Sequence, residues 1–234
     1  MTGSESPKPV VLVHGAWHGA WCWDKVTPLL DAAGVPWAAA DLPSCADIAS
    51  KAGVAEDVDE VIRILDELPG TEPAVLLGHS RGGLVLSEAG GHERVGQLVY
   101  LCALLLEPDD DVVAALGPSV IAALEIDDEL VSSVKPDQAN ELFYNDCSPE
   151  DRAWATAHVA PMYIGGGAVE PRRAWESRPT TYVVCELDAA IPPGYQHRMA
   201  GRADDVLIWQ TGHSPFVNRP DLVADLLIGL SSSD

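Results

Sequence analysis

Short apolar runs recur along this chain, separated by longer stretches in which apolar residues return every three or four positions. Residues 10–13, 37–40, 74–77, 97–102, 181–185 and 206–210 read as strands. Helical periodicity covers residues 23–33, 54–68, 80–89, 196–200 and 220–230. The second of these places Val54, Val58, Val61, Ile62 and Leu65 on one face. Alternation of strands and helices predicts an α/β fold, with a six-stranded, mostly parallel sheet covered by helices on both sides. Ligands of such sheets bind beyond the carboxyl ends of the strands.

The rhythm breaks between residues 102 and 181, too long a gap for one crossover. Helical pieces are expected at 112–124, 136–143 and 149–158, and Gly165, Gly166 and Gly167 suggest a flexible link. The chain therefore divides into a first core part (1–106), a helical cap insertion (107–178) and a second core part (179–234). Phe143, Tyr144, Trp154, Met162 and Tyr163 are candidates to line an apolar pocket under the cap, and most of them are expected simply to pack it onto the core. Trp17, in the loop after the first strand, is a further candidate substrate contact.

The strand at 74–77 runs into Gly78-His79-Ser80-Arg81-Gly82, and a helix follows. Small residues at 78 and 82 let strand and helix backbones approach, which forces Ser80 into a strained, exposed turn. The bland alternative is a tight glycine-bracketed turn around an ordinary serine. A serine nucleophile needs a base to take its proton. His213, in a loop just past the last strand, lies at the same sheet edge as Ser80, and His197 is its rival. Asp188, after the strand at 181–185, is the acid that would orient the base; Glu186 and Asp109 to Asp111 compete with it. Two backbone amides must hold an oxyanion, and those of Arg81 and Ala16 are placed for it. The Arg81 side chain reads as structural. His14 is expected to fix the loop after the first strand, and His79 to pack away from Ser80.

Charge narrows the chemistry. Asp and Glu number 36 against 14 Lys and Arg, a formal net charge of −22. Such a surface repels phosphate backbones and anionic lipid, so neither nucleic acid nor membrane is an expected partner, and a neutral substrate is favoured. The five cysteines show no paired spacing, which suggests reduced thiols and a cytoplasmic setting. No His/Cys grouping has metal-ligand spacing, so no metal and no cofactor are expected. Residues 1–8 lack the pattern of a secretory signal, and the apolar run 98–106 is too short to span a bilayer. A homodimer is compatible with the sequence.

His14-Gly15-Ala16-Trp17-His18-Gly19 after an apolar strand, Gly78-His79-Ser80-Arg81-Gly82-Gly83, Glu186-Leu187-Asp188-Ala189-Ala190-Ile191-Pro192 and Gly212-His213 together resemble the α/β-hydrolase superfamily. The nearest branch is the small plant-type methyl esterase and hydroxynitrile lyase group, with related bacterial carboxylesterases. The resemblance spans nearly the whole chain and is weakest in the cap. It implies an α/β-hydrolase fold, with nucleophile, acid and base at Ser80, Asp188 and His213 and oxyanion donors at Ala16 and Arg81. Lyases of the group carry threonine at the place of Gly15 and lysine at the place of Ser214, so cyanohydrin cleavage is not expected. The expected activity is hydrolysis of a small or medium neutral carboxylic ester through an acyl-enzyme. The alternatives are C–C cleavage, elimination or cyclisation in a natural-product pathway with the same triad, or a ligand-binding module with vestigial turnover.

Overall fold

Val10–Val13 is four apolar residues without interruption, and all four are buried because the strand they form, β1, is covered on both faces. The structure, a computed structural model, describes residues 6–166 and 172–232. Gly167 of the glycine run lies outside them, as do the first five and last two residues. After β1 come α1 (Thr27–Ala32), β2 (Trp37–Ala39), α2 (Pro43–Ala46), α3 (Val54–Glu67), β3 (Ala74–His79), α4 (Gly82–Ala89) and β4 (Val95–Leu101). The C-terminal stretch of the chain supplies β8 (Thr180–Cys185), α9 (Pro193–Ala200), β9 (Asp205–Trp209), α10 (Pro215–Asn218) and α11 (Pro220–Ser231). The strands stand in the order β2-β1-β3-β4-β8-β9, and every pair is parallel.

Side chains alternate across the sheet, so one run of residues feeds two cores. Val10, Leu12, Val75 and Leu77 join the core that also holds Val223 and Leu227 of α11. Val11, Val13, Leu76 and Tyr100 join the other, with Val61 and Leu65 of α3 and Val85 of α4. The strand order reverses between β1 and β3, where Val13 pairs with Gly78. A parallel sheet opens a crevice at such a point. The loop after β1 and the turn after β3 form its two lips.

The chain between β4 and β8 carries α5 (Val112–Ala115), α6 (Pro118–Ala123), β5 (Leu124–Ile126), β6 (Val131–Val134), α7 (Pro136–Phe143), α8 (Pro149–Thr156) and β7 (Met162–Tyr163). The helical stretch expected at 112–124 divides in two at Gly117, because Pro118 disfavours helical backbone in the residue before it. To the helices the structure adds a small antiparallel sheet, β5-β6-β7. Its hairpin is closed by Asp127, whose Oδ1 accepts from the amides of Glu129 and Val131, both at 2.9 Å.

Candidate active site

The turn from β3 into α4 is as tight as its glycines permit. A Cβ on Gly78 would collide with Leu86 and lie 2.9 Å from the Gly82 carbonyl; one on Gly82 would lie 2.8 Å from the His14 carbonyl. Gly83 is pressed against the backbone of Leu104, whose amide donates to the Ser80 carbonyl at 2.9 Å. Between these contacts Ser80 takes φ +52°, a left-handed conformation that costs a non-glycine residue of order 1 kcal/mol or more. The side chain is 8 % exposed and faces a cavity of about 460 Å³. Arg81, next in sequence, turns its guanidinium toward α3. It pairs at 2.7 Å with the buried Asp57 of α3, which also accepts from the Ser44 amide and hydroxyl. The structural role expected of that side chain agrees with this contact.

His213 lies 25 residues beyond Asp188, yet its Nδ1 is 2.7 Å from Asp188 Oδ2, and both are buried. The carboxylate is held from every side. Its Oδ1 accepts from the amides of Ala190 (2.7 Å) and Ile191 (2.9 Å), and its Oδ2 also from Gln196 Nε2 (2.8 Å). Gln196 is itself fixed by Ile191 and by the Cys185 amide, which donates to its Oε1 at 2.8 Å. The rivals His197 and Glu186 pair with each other at 2.7 Å and are partly exposed. The loop bearing His213 is pinned by Asp146, which accepts from the Gly212 amide and from Asn218.

Three further histidines build the floor. His14 Nδ1 donates to the Gly15 carbonyl (2.8 Å), and its Nε2 accepts from the Leu42 amide (3.0 Å). His18 Nδ1 donates to the Ala16 carbonyl (2.7 Å), leaving Nε2 to accept from the Tyr144 hydroxyl (2.8 Å). His79 Nε2 donates to the His213 carbonyl (2.8 Å), so its Nδ1 is an unpartnered lone pair facing Gly15. Burial pushes all three below the ordinary histidine range, His18 to about 3, so they stay neutral around neutral pH. The loop after β1 is thereby rigid, with Trp17 at φ +60°. Among the described residues, no acceptor is bonded to the backbone N–H of Ala16 or of Arg81.

Of the side chains expected against substrate, Trp17 and Met162 line the cavity. Phe143 stands behind its wall, stacked 5.7 Å from Trp17 and 5.8 Å from the His213 ring. Trp154 is elsewhere. It packs edge-on against Trp21 at 5.4 Å under Lys25, because its face of α8 turns toward the Ala20–Trp23 turn. Tyr144 is committed to His18. Sequence reasoning missed Gln196 and Ser132; the latter accepts from Trp17 Nε1 at 3.0 Å and donates to the Met162 carbonyl at 3.1 Å. A single grouping with metal-like proximity occurs among the described residues: His79, Cys102 and His213, whose ligand atoms lie within 4.8 Å. His79 Nε2 and Cys102 Sγ both donate to the His213 carbonyl, and burial raises the pKa of the thiol, so the three residues form a hydrogen-bonded cluster about that carbonyl.

A parallel sheet with a strained serine after one strand, and a buried acid–histidine pair after two others, defines an α/β-hydrolase. Residues 10–226 match the model of the alpha/beta hydrolase family, and the chain belongs to that family. Within it, the chain is similar to the plant methylesterase group. It is 24 % identical to methylesterase 2 of Arabidopsis thaliana, covering all of this chain and 99 % of the relative. It is also 24 % identical to norfluorocurarine synthase 1 of Strychnos nux-vomica, over 96 % of this chain and 95 % of that protein. The solved structure of polyneuridine aldehyde esterase shares the fold with a TM-score of 0.84 at 23 % identity, covering 96 % of this chain and 99 % of that one.

Proposed function

We propose that this chain is a serine hydrolase that cleaves a small or medium neutral carboxylic ester through an acyl-enzyme, without a cofactor. One observation carries the reading: the buried His213–Asp188 pair packs against the turn that bears the strained Ser80, with the His213 ring 4.5 Å from that of His79 and its carbonyl bonded to His79 Nε2, and Ser80 itself lines an apolar cavity. Ser80 Oγ attacks the ester carbonyl while His213 Nε2 takes its proton, and Asp188 fixes the tautomer and stabilises the imidazolium. The carbonyl oxygen, now anionic, receives the amides of Ala16 and Arg81; each such donor is worth about 3 to 4 kcal/mol of barrier. His213 returns the proton to the leaving alcohol, and water reverses the sequence to free the acid.

The synthase name of one relative supports a second reading, in which His213 abstracts a proton from the substrate and no acyl-enzyme forms. Intact mass after incubation with a fluorophosphonate separates the two. A single adduct on the wild type, absent from Ser80→Ala, is the expected result. A folded wild type that stays unlabelled overturns the acyl-enzyme and leaves base chemistry or ligand binding. The five free, buried cysteines support a reducing, cytoplasmic setting. Among the described residues no helix is long and apolar enough to cross a membrane.

A further inference from the structure

The cavity beside Ser80 is more selective than an apolar pocket in general. Its inner part is walled by Ala16, Trp17, Leu104 and Met162, all buried. Its one polar side chain beyond the Ser80–Arg81 turn is Ser132, which is fully buried, gives its proton to the Met162 carbonyl and accepts from Trp17. The guanidinium of Arg81 is engaged through Nη1 with the buried carboxylate of Asp57, so its charge is already balanced. Beyond that turn, Ser132 has both of its hydrogen-bonding roles taken, and burying a charge or a cluster of hydroxyls there unpaired is costly.

The mouth carries the second observation. Val112, Val113, Ile121, Ile126 and Ile164 line the cavity while remaining 39 to 59 % exposed. They come from α5, α6, β5 and the segment after β7, so four separate pieces of the insertion each bring an aliphatic side chain to one rim. Apolar surface left in water along a continuous path from the nucleophile gains only when something covers it. The rim is aliphatic throughout. Trp17 is the single aromatic in the wall, and Phe143 already stacks on it. Neither feature favours a planar ring over a flexible chain.

Building on the hydrolase reading above, we infer that one substituent of the ester is an extended, unbranched aliphatic chain that fills this cavity and lies out along the aliphatic rim. The chain belongs to the acyl or to the alcohol half, and esters varied on each side in turn distinguish these sources.

The kinetic test uses p-nitrophenyl acetate, butanoate, octanoate and dodecanoate beside the benzoate, and methyl to octyl esters of one short acid. The expected result is a rise in kcat/KM with chain length in one series, up to about fourfold per methylene while the chain is inside. It comes with a fall in the long-to-short ratio for Ile126→Asp and Ile164→Asp. A series that is flat on both sides, or a benzoate faster than the octanoate, overturns the inference even where the fluorophosphonate labels Ser80. Where no label forms, calorimetric titration of Ser80→Ala with butanol, octanol and dodecanol reads the cavity without turnover. Affinity rising with length supports the chain assignment, and uniform weak binding refutes it.

Discussion

Asp188 accepts four hydrogen bonds, and the one from Gln196 decides how firmly its carboxylate meets His213. The two backbone amides fix Oδ1, but Oδ2 serves His213 and Gln196 together. Gln196→Met removes a neutral donor from a buried charge, an interaction of about 1.5 to 3 kcal/mol. The rate at which a fluorophosphonate labels Ser80 is expected to fall roughly tenfold to a hundredfold, with the thermal midpoint recorded alongside to separate loss of fold. A labelling rate within twofold of wild type, with the fold intact, would mean that the amides alone suffice. The positions of Ser80, Asp188 and His213 at strand ends, and the pairing of the last two, were legible in the sequence because each follows a strand and carries a side chain that the proposed chemistry requires. Gln196 was not legible. A lone glutamine inside a helix has no signature, and its role depends on α9 starting at Pro193, three residues before the periodicity suggested. Trp154 shows the converse: its residue type suggested a pocket, but helical spacing does not say which neighbour a face meets.

The elements meet the site through a latch of three. Asp57 on α3 joins Ser44 of α2 and Arg81 at the start of α4, so two helices outside the sheet hold the turn that strains Ser80. Replacing Asp57 by Ala leaves a largely buried guanidinium without its partner, a change that costs about 3 to 5 kcal/mol. Urea unfolding is expected to show that loss, and adding Arg81→Met to Asp57→Ala to recover only the share due to the unpaired guanidinium, since the Ser44 amide and hydroxyl stay without their acceptor. A single variant that unfolds within about 1 kcal/mol of wild type contradicts the latch, since isolated surface pairs are worth no more. At this scale the parallel sheet was readable from continuous apolar runs, since both of its faces are covered. The small antiparallel sheet between β4 and β8 was hidden for a physical reason. Its strands have three, four and two residues, too short for alternation to register, and β7 pairs with β6 some thirty residues away in the chain.

Across the whole molecule, the three buried neutral histidines couple the site to stability. His14, His18 and His79 have folded-state pKa values below the unfolded one of about 6.5, each chiefly through desolvation. Above pH 6.5 both states are neutral at these groups and nothing is lost. As pH falls below 6.5 the unfolded chain gains up to three protons that the folded chain refuses. Stability then declines by up to about 4 kcal/mol per pH unit, and the His18 share continues down to about pH 3. Carboxylates with lowered pKa values, such as Asp110 beside Arg202, act in the same direction only below about pH 4, where their unfolded counterparts protonate. Acid also relieves the repulsion of a chain carrying −22, but again only where carboxylates titrate. The interval from pH 6.5 to 5 therefore belongs to the histidines. Urea midpoints across it are expected to drop steeply, and His18→Gln, which keeps a donor for Ala16 and an acceptor for Tyr144, to reduce the slope by about 1.4 kcal/mol per pH unit. Added salt screens surface charge but not burial, so it is expected to raise every midpoint and leave that slope in place. A slope that vanishes with salt would assign the acid sensitivity to the charged surface instead.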